Sequence, residues 1–224
     1  MPDQRGIART AGLHVVSKIR VLQRGYTSGA GPAASRARAS LAGLRRLSSL
    51  AGSPVLENGE LLFDGWPEQT FQDLGARESD KDRAFEAVKG ALNLYAIHQQ
   101  SLSVGCAILR ASDESDENFA RRRRSGAFGR ACREVCPDLD NAAGIQRRLA
   151  AVAAASDMDG VLYGMRALVR LIKSEKGPQL IRLDYAALTE DLYLVQLSGQ
   201  WRRSVFDRWA RDYFQYRKVE VANQ

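Results

Sequence analysis

The sequence predicts an all-α fold, and three observations carry that expectation. Apolar residues recur at i, i+3, i+4 and i+7 in one segment after another, and no segment alternates convincingly with a period of two. The periodic segments are also opened by Asp or Ser at cap positions, or separated by stretches holding Gly and Pro. A multi-helix bundle with a basic outer face and no sheet follows.

Residues 1–10 read as a disordered start and 219–224 as a disordered end. Between them, residues 11–218 read as one helical domain, or as two packed sub-bundles meeting near 137–157. The first helix is expected from Leu13 to Arg24, with Val15, Ile19 and Leu22 on its apolar stripe and Lys18, Arg20 and Arg24 largely off it. Gly25 ends it, and the stretch to Pro32 reads as a linker. A second helix over 33–50 turns Leu41, Leu44 and Leu47 inward and leaves Arg36, Arg38, Arg45 and Arg46 to solvent, so the two basic helices can share a face. Glycines and prolines between Ala51 and Gly75 predict an irregular connection with at most a turn of helix, pinned by Trp66 and Phe71. Asp80 or Asp82 then caps the most regular helix of the chain, which runs to about Gln100. Its two adjoining stripes, Phe85, Val88, Leu92, Tyr95 and Ala84, Ala87, Ala91, Leu94, suit a central position.

The chain is organised around Arg121–Arg124 and the segment that follows. Phe128, Ala131, Cys132 and Val135 make one apolar face, and the reading points Arg130 and Arg133 the other way, beside a helix N-terminus whose free N–H groups favour anions. The acidic residues Asp113, Glu114, Asp116 and Glu117 just before the run are expected to form a mobile loop rather than to fold back on the arginines. A helix over 141–155 buries Ile145, Leu149 and Val152 and turns Arg147 and Arg148 away. Ser156 or Asp157 caps the next, with Val161, Met165, Leu168 and Ile172 inward and Arg166, Arg170 and Lys173 as a cationic stripe. Asp184 caps a helix carrying Tyr185, Leu188, Leu192 and Val195, and a last helix over 198–216 buries Trp201, Val205 and Trp209.

Charge narrows the function. The 224 residues carry a formal charge of +7, and its distribution matters more than its size. Residues 1–50 hold nine Arg and Lys against Asp3 alone, whereas residues 51–224 hold 24 basic and 25 acidic residues. Such asymmetry suggests a polyanionic partner. An organelle transit peptide has a similar composition, but a disposable peptide needs no core-like apolar spacing. No apolar run approaches the ~20 residues of a membrane span, and nothing reads as a secretory signal, so the expectation is a cytoplasmic protein without membrane contact. The three cysteines form no disulfide framework.

The search for catalytic chemistry returns little. The two histidines, His14 and His98, each border an apolar stripe and read as hydrogen-bonded core or boundary residues rather than as catalytic groups or ligands. Cys132 and Cys136 lie one turn apart but lack a second Cys or His pair, which argues against zinc. There is no G-x-x-x-x-G-K-[ST] loop, G-x-S-x-G elbow or H-E-x-x-H motif. No enzyme, metal or cofactor is expected.

Several segments, taken in order, resemble the small subunit, CasB, of Cascade, the type I-E CRISPR surveillance complex. They are Leu44-Arg45-Arg46, Asp82-Arg83-Ala84-Phe85 leading to Leu94 through Gln100, Gly126 through Ala131, Leu162 through Leu171, Leu183 through Leu188, and Arg208 through Phe214. The resemblance implies a non-catalytic helical protein present as two adjacent copies in a crRNA-guided complex. Its partners would be crRNA, the target and displaced strands of target DNA, the large subunit and the backbone subunits, and its role would be to stabilise the R-loop through basic surface residues. The candidate nucleic-acid contacts are Arg36, Arg38, Arg45, Arg46, Arg123, Arg124, Arg130, Arg147, Arg148, Arg166 and Arg170. A helix-turn-helix transcriptional regulator is the alternative from another class; it requires a recognition helix studded with base-reading side chains, which the sequence does not show. A metal- or nucleotide-dependent enzyme ranks third.

Overall fold

In the computed structural model, which describes residues 2–47, 54–138, 140–175 and 180–215, twelve helices are present and no strand forms among the described residues. The one extended pairing is a single parallel bridge between Ala107 and Leu183. One continuous apolar core runs from Ile7 to Tyr213.

Helix α6 (Glu78–Gln99) is the axis. From Gly90 to Gln99 every residue on it is buried, because α1 (Gln4–Thr27), α2 (Pro32–Arg46), α10 (Met158–Ser174) and α11 (Tyr185–Val195) surround it. Small residues make this crowding feasible. A side chain at Gly90 would stand 2.8 Å from Leu162 of α10, and one at Gly12 of α1 would stand 2.8 Å from the Ala186 carbonyl oxygen in the first turn of α11. Asp80 does serve the α6 N-terminus, from the N3 position of a capping box whose N-cap is Arg77: its carboxylate accepts the Arg77 backbone N–H at 3.1 Å. Asn93 donates to the Leu44 and Arg45 carbonyls at 2.9 and 3.2 Å, satisfying the carbonyls that the end of α2 leaves open.

Several expectations need correction. The chain start is not disordered: Asp3 caps α1 by accepting the Gly6 N–H at 3.0 Å, and Ile7, Ala8 and Ala11 extend the buried stripe upstream of Leu13. The supposed linker after Gly25 shrinks, since α1 reaches Thr27 and α2 begins at Pro32. In place of an irregular connection stand α3 (Pro54–Glu57), α4 (Gly59–Phe63) and α5 (Glu68–Asp73). They fold back over α1, and this covers Lys18, which the sequence placed off the apolar stripe: its ammonium donates to the Asp64 carboxylate at 3.0 Å and to the Asp64 carbonyl. The expected ends of α2 at Leu50 and of the last helix at Tyr216, together with residues 219–224, lie outside the described residues.

Helix α7 (Asp116–Ser125) takes Asp116 and Glu117 of the expected mobile loop, together with Arg121–Arg124, into one ordered element. After it come α8 (Phe128–Val135), the hairpin of α9 (Ala143–Ala154) and α10, and α12 (Gly199–Phe214), which packs on α8 and α11. The α8/α12 contact is backbone to backbone. A Cβ at Gly129 would collide with the Trp209 carbonyl group, while the Phe128 and Trp209 rings lie 4.8 Å apart. Replacing Gly129 by Ala should therefore force the two helices apart and cost about 1–3 kcal/mol, an overpacking penalty read as a fall in melting temperature of roughly 2–4 °C per kcal/mol. Gly59→Ala, whose side chain meets open space, should leave the melting temperature unchanged or higher; equal losses for the two variants would contradict this packing.

Candidate nucleic-acid interface

The arginine run is held by its own acids. Ser115 caps α7 by accepting the Asn118 N–H, Asp116 and Glu117 occupy the first turn, and Arg122, Arg123 and Arg124 the last, the order that the helix dipole favours. Both carboxylate oxygens of Glu114, its side chain 9% exposed, accept from Arg122 Nη1 at 3.0 and 3.1 Å, and Arg122 Nη2 also donates to the Leu109 carbonyl at 2.9 Å. Arg110 pairs with Asp116 at 2.5 Å, and Arg121 with Glu117 at 3.7 Å. The acidic stretch thus folds back on the arginines, contrary to the sequence expectation; a loop this rich in matched charge gains enough from pairing and capping to order itself.

Arg123 takes a different partner. Its Nε donates to the Asp184 carboxylate at 2.5 Å, and its guanidinium lies 3.8 Å from Glu190. Asp184 is buried and caps α11 through its other oxygen, which accepts the Ala187 N–H at 3.1 Å; its own backbone N–H donates to the Gly126 carbonyl at 3.0 Å. One residue therefore ties the end of α7 to the start of α11. Gly126 is needed for the approach, because a Cβ there would stand 2.8 Å from the Asp184 nitrogen.

Arg133 does not point outward. It is buried, donates to the Cys136 carbonyl at 3.2 Å and lies 5.6 Å over the Tyr213 ring. The cause is Gly129, one turn earlier on the same stripe: where Gly129 admits α12, α12 covers Arg133. Arg130, which pairs with Glu134 at 3.5 Å, remains half-exposed on the other side.

These elements enclose a cleft of about 920 Å³. Six arginines line it: Arg5 and Arg9 from α1, Arg123 and Arg124 from α7, Arg130 from α8 and Arg208 from α12. Four carboxylates, Asp184, Glu190, Asp191 and Asp212, share its walls, leaving an excess of positive charge. Arg5 stacks 5.5 Å over the half-buried Trp201. Arg124 is exposed and has no ion pair among the described residues.

Of the expected contacts, the fold brings Arg123, Arg124 and Arg130 into this cleft, whereas the others lie elsewhere. On α2, Arg36 is exposed, Arg38 donates to the Gly29 carbonyl, Arg45 is half-buried and Arg46 pairs with Glu57 at 3.0 Å. Arg147 and Arg148 are exposed on α9, each hydrogen-bonded to a carbonyl of its own helix. Arg166, half-buried, and Arg170, exposed, lie on α10. Sequence reasoning missed Arg5, Arg9 and Arg208. The signal for the first two was available, since Ile7, Ala11 and Val15 continue the first stripe upstream and place Arg5 and Arg9 one turn apart beside it.

Residues that chemistry would call on are spent on structure. His14 Nε2 bonds the Leu62 carbonyl at 3.0 Å, and His98 Nδ1 bonds the Tyr185 hydroxyl at 3.1 Å. Burial lowers both pKa values, that of His98 to about 4. Burial also pushes the Cys106 and Cys132 thiols up, which keeps them protonated and unreactive. No group of three His, Cys, Asp or Glu side chains able to hold a metal occurs among the described residues.

Comparison with known proteins agrees with the helical architecture. The sequence model of the family described as CRISPR-associated protein Cse2 matches residues 40–214. The crystal structure of CasB from Thermobifida fusca superposes with a TM-score of 0.67 at 27% identity, covering 91% of this chain and 97% of that one. That of M. ruber CasB superposes with a TM-score of 0.51 at 20% identity, covering 88% and 93%, and bears on the fold alone. No curated protein sequence matches.

At the floor of the cleft, the buried Asp191 accepts hydrogen bonds from Arg208 and, at 2.6 Å, from Trp209 Nε1. Burial raises its pKa to about 6 from 3.8, against the pull of Arg208. The folded protein therefore holds this proton at a pH where the unfolded chain has lost it, so the site contributes stability below pH 4 that is lost as pH rises through about 6. Burial raises Glu190 and Asp212 in the same direction. Thermal melts from pH 4 to 7 should show a flatter pH dependence for Asp191→Asn than for the unaltered protein. Parallel curves would contradict the assignment.

Proposed function

Because the chain belongs to the Cse2 family of CRISPR-associated proteins, to which the CasB proteins belong, we propose that it serves as the non-catalytic small subunit of a Cascade effector complex and holds nucleic acid in the cleft between α1, α7, α8 and α12. The observation that carries this reading is the convergence of six arginines from four helices on one cleft. Its partners on this reading are crRNA, the displaced and target strands of target DNA, the large and backbone subunits, and a second copy of itself.

The chemistry suits backbone recognition. A guanidinium offers a planar pair of donors to phosphate without reading sequence. Opening a target duplex against a guide exchanges one duplex for another of similar stability, so a few phosphate contacts can tip the balance. Four carboxylates in the same cleft keep the contacts weak and exchangeable, which fits a subunit that grips a strand only once other components have opened it. The buried histidines and protonated thiols support the absence of catalysis.

Two kinds of arginine are distinguishable by mutation. In a reconstituted complex, Arg5→Glu, Arg9→Glu and Arg124→Glu together should lower target-DNA affinity and flatten its salt dependence by roughly 0.7–0.9 of a log–log unit per lost phosphate contact. Melting of the isolated protein should hardly change, since exposed substitutions stay within about 0.5 kcal/mol. Arg123→Glu should instead lower the melting temperature, because it sets a carboxylate against the buried Asp184. Unaltered DNA affinity for the triple variant would sink the reading.

A further inference from the structure

The fold leaves an aromatic ring on its surface that the cleft does not absorb. Among the described residues three aromatic side chains are exposed: Phe63, Tyr163 and Phe214. Phe63 stacks on Phe85 at 5.0 Å and Phe214 packs edge-on to Tyr213 at 5.1 Å. Tyr163, 75% exposed on α10, has no ring partner among the described residues.

Its surroundings are specific. Arg166 and Arg170 follow Tyr163 at i+3 and i+7, which sets all three on one stripe about 10 Å long. Asp159, one turn before Tyr163, and Lys173, one turn beyond Arg170, extend that stripe at its two ends. Burial, and next the neighbouring Arg170, hold the Arg166 pKa below its ordinary value, with Asp159 and Tyr163 offsetting only part of this. Neither arginine has an ion pair among the described residues. Two guanidinium groups that repel each other without a carboxylate between them are relieved by a phosphate.

The backbone beneath the stripe is fixed. Val161, Leu162, Met165, Leu168, Val169 and Ile172 bury the opposite face of α10, Gly90 of α6 receives Leu162, and Gly164 closes on Val152 of α9. Position 90 also lies one turn from Asn93, which holds the end of α2, so α10 and the Arg45–Arg46 end of α2 occupy adjacent rows of α6. A tyrosine on such a scaffold loses only two side-chain torsions when a planar group settles on it.

We propose that Tyr163, Arg166 and Arg170 form a stacking site for unpaired nucleotides, Tyr163 taking the face of a base and the arginines its phosphates. This gives the protein a preference for single strands over duplex, which arginines on helix faces do not supply by themselves, since a base in a duplex has no free face to offer. The inference rests on the nucleic-acid reading above and narrows it to a substrate class. A protein partner burying Tyr163 is the competing occupant.

The test uses the full-length chain with an oligo(dT) single strand and a duplex of mixed sequence, binding being read by fluorescence anisotropy at fixed salt. Tyr163→Ala should weaken single-strand binding about five-fold or more and leave duplex binding unchanged, while Tyr163→Phe should bind as the unaltered protein does. Arg166→Glu with Arg170→Glu should weaken both. If Tyr163→Ala binds the single strand normally while the arginine variant does not, the stacking site falls, the ring belongs to a protein contact and the nucleic-acid reading stands. Failure of the unaltered protein to bind either oligonucleotide, alone and in the assembled complex, would overturn both.

Discussion

The architecture of the cleft depends on one buried carboxylate. Asp184 caps α11, takes the Arg123 guanidinium and, through its backbone, bonds Gly126 at the end of α7. The adjoining backbone is stitched in the same way: the Ile108 N–H donates to the Leu183 carbonyl at 2.9 Å, and the Leu183 N–H donates to the Cys106 carbonyl at 3.0 Å. A buried carboxylate is tolerable only when its lone pairs are filled, and the charge of Arg123 together with a helix N-terminus fills them here. The arginine helix is consequently a fixed wall of the cleft and not a tether.

Charge compensation then decides which arginines are available. The chain carries 33 basic residues, yet Lys18, Arg122, Arg123 and Arg133 are committed to internal partners. Three of those that line the cleft are held from the sides: Arg5 by Trp201, Arg130 by Glu134 and Arg208 by Asp191. Such an arrangement orients guanidinium groups before a ligand arrives, reducing the ordering cost of binding at the expense of some charge. A fully unpaired cluster of the same size would bind polyanions more tightly and less selectively, and would repel itself in the free protein.

The helical class was legible because stripes such as Val161, Met165, Leu168 and Ile172 or Leu188 and Leu192 depend on local spacing alone, and the Asp157 and Asp184 caps were legible for the same reason. What failed depended on distant segments. Lys18 looks solvent-exposed on a helical wheel until residues 58–66 fold across it, and Arg133 looks exposed until Gly129 admits α12. The arginine run announced a basic site, but its division into a salt-bridged Arg122, an anchored Arg123 and a free-standing Arg124 follows from contacts 8 to 61 residues away. Arg5 and Arg9 were lost to the assumption that a chain terminus frays, although Ile7 and Ala11 marked the stripe that holds them in place.

The central claim is that nucleic acid lies in the cleft between α1, α7, α8 and α12. Ultraviolet cross-linking of a bound single-stranded DNA carrying photoreactive bases, followed by mass spectrometry of the protein, tests it most directly. The account predicts cross-linked peptides containing Trp201 together with those spanning residues 4–9 and 121–130. Cross-links confined to the face formed by α3, α4 and α5, with none in these peptides, would contradict it.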